Sequence, residues 1–585
     1  MNRRAHPTTW KTLELGMTPT TDETSAVMHT GHAGHAGRAG RARRAGRATA
    51  LGLCSALLLT ACCAPKPAAT TPGGPAEPAP ADPQPTEPTA PTGPTAPLTT
   101  PLAAPLPPDV ILPASADPSV SFAVWFRVGS QDDPKGKEGL AWLTAQMVAR
   151  AATASHRYDE ILTLLYPMAA SYSASVDREM TVLSGRSSKT DGAAFLQLLR
   201  EAMTQPAFDA ADFERLRTEG LSSLEKSLRY SLDEELGKAI LHEALYRGSA
   251  YAHPVIGTVA GLKALTLDDV KAFWARHYAM DQAIYGLAGG WSEELKGAFL
   301  GTRTELPTPQ SAGPAPAPAA APVTGKKVVL VQKPGADASI SFGHVLDVRR
   351  GDPDFAALYL AASWLGEHRN SSSHLYQVIR EARGLNYGDY AYVEAYPGGG
   401  FRQLPPANVG RRKQAFEVWI RTLPNDNAVF ALRAALREVD TLVAQGLTAQ
   451  QFELTRNFLK KYVLHYAAST QDRLLWSLDD AFYGLPAPHL ARLRAELDAL
   501  TLEQVNAAIK KHLRTSALTI AISTGAAEKL KAQLTSGAAT PPTYATPKPE
   551  AVLTEDKIIA AYPLGISADH VTIVPVEQMF AQGTR

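Results

Sequence analysis

Lys263 to Tyr278 reads KALTLDDVKAFWARHY, and Asp498 to Leu513, 235 residues later, reads DALTLEQVNAAIKKHL. Each stretch sets a threonine ahead of an acidic residue and then spaces apolar residues at helical intervals, the pattern of a capped amphipathic helix. Each runs into an apolar strand that ends in glycine, AIYGLAGG at 283–290 and ALTIAISTG at 517–525. A second pair stands earlier in each half. Ala116 to Phe122 reads ADPSVSF and Ala336 to Phe342, 220 residues on, reads ADASISF, followed by the strand-like AVWFRVG and GHVLDV. One such pair is within reach of chance. Two pairs, in the same order and at similar offsets, argue for two homologous domains.

Working outward, Pro307 to Pro322 (PTPQSAGPAPAPAAAP) separates the repeats as a proline- and alanine-rich linker. The spacing predicts domains over 109–305 and 326–535, a linker over 306–325 and a tail over 536–585. Long amphipathic helices are expected over 207–230 and 447–465. Strands alternating with such helices give an α+β fold, an antiparallel sheet with helices packed on one face in each domain.

Composition limits function. The chain has 585 residues, more than one core supports, since domains run to about 100–200 residues. Its 58 Lys+Arg and 57 Asp+Glu leave a net charge of +1, so no global field draws nucleic acid. Three cysteines, Cys54, Cys62 and Cys63, all precede the folded region. That excludes a disulfide framework or cysteine metal ligands beyond them.

The N-terminal region reads as an address. Residues 28–50 are basic and glycine-rich, and Leu51 to Ala61 (LGLCSALLLTA) is apolar and uncharged. Eleven residues cannot cross about 30 Å of hydrocarbon, so residues 1–61 are expected to hold an N-terminal extension and a secretory signal, with Met28 as an alternative start. Leu59-Thr60-Ala61-Cys62 resembles a bacterial lipobox, which implies lipidation of Cys62. Residues 62–108 are rich in Pro, Ala and Thr and cannot bury enough apolar surface to fold. They are expected to form a disordered tether, holding the protein to the membrane of a bacterial cell envelope and facing the periplasm.

Three further stretches bear on chemistry: Val128-Gly129-Ser130-Gln131-Asp132-Asp133 with Glu138-Gly139-Leu140-Ala141; Ala250 to Thr258 (AYAHPVIGT); and Arg380 to Tyr387 (REARGLNY). As a set, over roughly residues 110–580, they resemble the insulinase/pitrilysin-type metallopeptidases, among them the mitochondrial processing peptidases. The resemblance implies an HxxEH zinc helix directly after Gly139-Leu140-Ala141, whose two histidines hold the metal and whose glutamate is the base. The matching positions are Trp142-Leu143-Thr144-Ala145-Gln146. Trp142, Ala145 and Gln146 supply neither imidazole nor carboxylate. Glu219 and Glu225 stand where the resemblance implies a third ligand. No other metal motif appears: His242-Glu243 lacks a second histidine at i+4, and His344 and His374 lack ligand spacing on one helix. There is no Gly-x-Ser-x-Gly elbow.

Arg380 and Tyr387 do match the family's C-terminal pair, which implies hydrogen-bond donors to the scissile carbonyl of a bound peptide. In two-chain members one subunit carries HxxEH and the other this pair. The resemblance therefore implies a non-catalytic, substrate-binding subunit with no cofactor of its own, zinc being carried by an HxxEH-containing partner. Gly398-Gly399-Gly400 is similar to the glycine-rich loop of such subunits, though placed differently. Two other readings stay open: an inactive peptide-binding or scaffold lipoprotein, and an active zinc endopeptidase with an unrecognised site.

Overall fold

The computed structural model describes residues 108–308, 318, 323–485 and 488–583. Cys62, the signal and the tether lie outside them. Two sheets organise the chain. The first holds β1 (Val110–Pro113), β2 (Ser119–Phe126), β3 (Ser171–Val176), β4 (Thr181–Ser188) and β5 (Ala283–Gly289) in the order β1-β5-β2-β4-β3. The second holds β6 (Lys326–Gln332), β7 (Ala338–Leu346), β8 (Asp389–Tyr392), β9 (Gln414–Leu423), β10 (Leu518–Thr524) and β11 (Val571–Pro575) in the order β11-β6-β10-β7-β9-β8. Without β11 the second order repeats the first. Both sheets are antiparallel except beside β1 and β6, where β1 runs parallel to β5, and β6 runs parallel to both β10 and β11.

Helices used below are α1 (Leu140–Arg150), α2 (Ala210–Ser222), α3 (Asp233–Leu245), α4 (Leu267–His277), α5 (Phe355–Gly366), α6 (Ala449–Tyr462), α7 (Thr470–Tyr483), α8 (His489–Ala499), α9 (Leu502–His512) and α10 (Glu550–Ala560). The paired threonines of the repeat are N-caps. The Thr266 hydroxyl accepts from the Asp269 N–H at the start of α4, and the Thr501 hydroxyl from the Gln504 N–H at the start of α9. Thr266→Ala is expected to cost about 1 kcal/mol in a urea melt.

Packing adds a feature that periodicity does not carry. The sheet faces turned away from each domain's own helices are also apolar. In the first sheet that face presents Ala123, Trp125, Ile284 and Ala288, all fully buried. Its cover is α7, from the second domain, through Leu474, Leu478 and Phe482. Reciprocally, α3 of the first domain lies on β7 and β10 of the second sheet. There Gly237 comes so close that a Cβ would sit 2.9 Å from Ser341 Oγ. Helices thus cover both faces of each sheet, one face by exchange, where the sequence reading gave one covered face.

Of the segment 536–585, read as a tail, the described residues 536–583 are built into the fold. Its β11 extends the second sheet, and Val576, Met579 and Phe580 join the first domain's core. The reason is its apolar content, which needs burial. No described helix is long and apolar enough to cross a membrane.

Candidate functional site

The helix that the resemblance marks as the zinc helix is α1. Its start is fixed by Asp133, whose carboxylate accepts from the Gly139 and Ala141 N–H groups, each at 2.7 Å. An anion at a helix N-terminus is favourable. Gly139 has φ +113°, and a Cβ there would meet Leu262 and the Ile256 carbonyl, so glycine is required. Past this turn Trp142 packs against α2. A Cβ on Gly220 would lie 2.7 Å from the indole. Ala145 and Gln146 are buried. Arg150 bridges the remaining space, donating to Gln146 Oε1 at 3.3 Å and to Glu219 Oε1 at 2.8 Å. The resemblance gave Glu219 as a possible ligand, and the structure gives it to a guanidinium. An indole, a methyl, an amide and an ion-paired carboxylate do not fit Zn²⁺, which takes imidazole, thiolate or free carboxylate. Among the described residues no three His, Cys, Asp or Glu come together as a metal-binding group.

Arg380 and Tyr387 are brought together. Arg380 lies on a wide helical turn, Tyr376–Glu381, with its guanidinium 4.6 Å from the Tyr376 ring centre and 5.4 Å from that of Tyr387. One N–H donates to the Tyr387 carbonyl at 3.0 Å, and among the described residues Arg380 has no carboxylate partner. Tyr387 is 73% exposed. The neighbouring arginine has the opposite role: Arg383 is buried and pairs with Glu555 and Asp556 on α10, both at 2.8 Å. One arginine ties the motif to the core while the other faces outward.

Below the pair, Asn386 Nδ2 donates to Asp389 Oδ1 at 2.7 Å, and Asp389 Oδ2 has no partner among the described residues. Burial pushes the Asp389 carboxyl up to about 8, against the lowering effect of Asn386 and Arg380. Between pH 4 and 8 the unfolded chain therefore ionises this group while the folded chain keeps it protonated. Stability from this group is complete below pH 4 and falls as pH rises to 8. Asp389→Asn is expected to flatten that slope by at least about 1.4 kcal/mol, the worth of one pKa unit, in urea melts at pH 5 and 8.

The sequence reading missed an ionic seam between the domains. Arg411 holds Asp177 by two hydrogen bonds of 2.7 Å, Arg412 pairs with Glu179, and His242 meets Glu417 at 3.1 Å. Burial raises the Asp177 carboxyl, but the Arg411 guanidinium outweighs it and holds the group below the usual carboxylate range. The signal was present as Asp177-Arg178-Glu179 and Arg411-Arg412-Lys413, charge runs that ordinarily mark solvated loops. The seam borders a cavity of about 240 Å³ lined by Lys238, His242, Tyr396 and Glu417. Beside it the glycine run is pinned: Gly399 N–H donates to Glu235 at 3.1 Å, and Arg369 donates to the carbonyls of Gly399 and Gly400. His344 is buried beside Phe416 and His374 pairs with Glu438, both structural positions.

Residues 109–259 match the model of insulinase (peptidase family M16), and residues 264–459 that of the peptidase M16 inactive domain. Together they span more than half of the chain. An uncharacterized zinc protease of Streptomyces coelicolor is 23% identical over 48% of this chain and 60% of its own length. The non-peptidase homolog YmxG of Helicobacter pylori is 22% identical over 68% of this chain and 87% of its own. Among solved structures, a peptidase M16 inactive domain from Pseudomonas fluorescens superposes with a TM-score of 0.61 at 23% identity, over 71% of this chain and 94% of that one. The chain belongs to the insulinase family, peptidase family M16.

Proposed function

We propose that this chain is the non-catalytic, substrate-binding subunit of a two-chain zinc peptidase acting on peptides in the cell envelope, held to the membrane through Cys62. One observation carries the reading: the position of the zinc helix holds Trp142 against Gly220, while Arg380, half-buried, and Tyr387, exposed, face each other. A guanidinium and a phenol side by side can both donate to a peptide carbonyl oxygen as it gains charge. In addition β3 is an edge strand of the first sheet. Paired only with β4 among the described residues, it can take up an extended peptide along its other edge. The metal and the base come from the partner chain. One relative supports the loss of activity, being called a non-peptidase homolog, and another, matched over 37% of its length, is the beta subunit of a mitochondrial-processing peptidase of Dictyostelium discoideum, which supports a protein that works beside a second subunit.

The test is affinity purification of the full chain from its native membrane. The expected result is a stoichiometric companion of the same family with intact HxxEH, and peptide cleavage that needs both chains. A chain recovered alone, holding one Zn²⁺ and cleaving peptides by itself, refutes the reading. The scaffold alternative predicts that the complex forms but keeps full activity when Arg380 and Tyr387 are both replaced.

A further inference from the structure

A second cavity, of about 370 Å³, lies away from the Arg380 turn and from the ionic seam. It is walled by Leu112 on β1, Val463 and Leu464 just after α6, Trp476 on α7 and Leu490 on α8. Four separate elements build it, so its shape is fixed by the fold rather than by one loop. A volume of this size falls in the range of small-molecule sites. Its lining is mostly apolar, and Leu464, 54% exposed, carries that character outward.

Two guanidiniums, Arg473 and Arg494, border the same space. Both residues are exposed. Arg473 donates to its neighbour Thr470 at 3.0 Å, and neither arginine has a carboxylate partner among the described residues. One carboxyl, Asp480, also lines the cavity and accepts from the His489 N–H at 3.0 Å. An apolar hole bordered by two uncommitted cations complements a molecule with a hydrocarbon body and an anionic end. A neutral hydrophobe leaves the arginines without a role, and a small anion leaves the apolar walls without one.

We propose that this cavity binds a long-chain fatty acid, the alkyl chain against Leu112, Val463, Trp476 and Leu490 and the carboxylate met by Arg473 and Arg494. The site is independent of the peptide-binding reading and of lipidation at Cys62. Burial of the chain supplies the affinity, and the paired charges supply the choice of head group.

Titration calorimetry of the full chain with laurate, below its micelle concentration, tests this. The expected result is one saturable site. Octanoate, four methylenes shorter, binds about two-hundredfold more weakly, the change that about 0.8 kcal/mol per methylene gives. Dodecyl maltoside, with the same chain and no charge, binds several-fold more weakly than laurate, and Arg473→Gln with Arg494→Gln removes that preference. Ala467→Phe or Ala491→Phe, which fill the cavity from two different walls, abolish binding while the thermal melt is kept. The proposal is overturned if laurate shows no saturable binding, if the maltoside matches laurate, or if both phenylalanine variants still bind. Sedimentation with phosphatidylglycerol vesicles without laurate binding also overturns it, since the arginines then serve a membrane surface.

Discussion

If the chain works as proposed, with an HxxEH-containing partner, Arg380→Ala in that complex is expected to lower kcat for peptide cleavage about a hundredfold or more. Removal of one donor to a developing oxyanion costs on the order of 10²–10³ in rate. The turn itself should survive. Arg380 is at the surface, its guanidinium makes one hydrogen bond among the described residues, to the Tyr387 carbonyl, and the motif is tied to α10 by Arg383. Tyr387→Phe removes only a hydroxyl from an exposed ring and is expected to act in the same direction. Because both groups contact the reacting carbonyl in this reading, the loss should appear in kcat more than in KM. Steady-state assays with one fluorogenic peptide, alongside a pull-down showing unchanged assembly, separate this from a binding defect. Unchanged kcat in the double variant would leave the pair without a catalytic role.

Breaking the seam at Arg411 has the largest expected effect on stability. Arg411→Met keeps the apolar stem but strips Asp177 of its bidentate partner, leaving a buried carboxylate with the Arg178 guanidinium as its remaining cation nearby. Loss of one partner of a buried pair costs about 3–5 kcal/mol, because the other charge stays in a low-dielectric site. Urea unfolding of the variant should show this as a lower midpoint. Removing both charges, Arg411→Met with Asp177→Asn, should recover a large part of the loss, as a double-mutant cycle requires for groups in direct contact. No recovery would mean that the cost of Arg411→Met lies outside its pairing with Asp177, in the contact of its guanidinium with His242 Nδ1 at 3.5 Å.

Much of this was legible in the residues. The strands that follow the two repeat helices are β5 and β10, the threonines are caps, and the helices expected over 207–230 and 447–465 contain α2 and α6. These are local features, written in spacing and capping chemistry. That Trp142, Ala145 and Gln146 offer no imidazole or carboxylate was legible too, since it depends on residue type alone. What stayed hidden is what depends on distant partners. Nothing in the period of α7 says that Leu474 and Leu478 belong to the other domain's sheet. Asp177 and Arg411 read as loop charges until folding sets them 2.7 Å apart. Glu219 looked like a spare carboxylate until Arg150 was seen to hold it.

The exchange of α3 and α7 says something about how such a chain came to exist. A single half, made alone, would leave one apolar side of its sheet bare and would offer an outlying helix with nothing to lie on. Two identical halves satisfy both needs at once, each lending its helix to the other around a two-fold axis. The proline- and alanine-rich stretch then joins what symmetry had already paired. Once joined, the copies are free to drift apart, so that Trp142 can stand on a helix of one half and Arg380 and Tyr387 on a turn of the other.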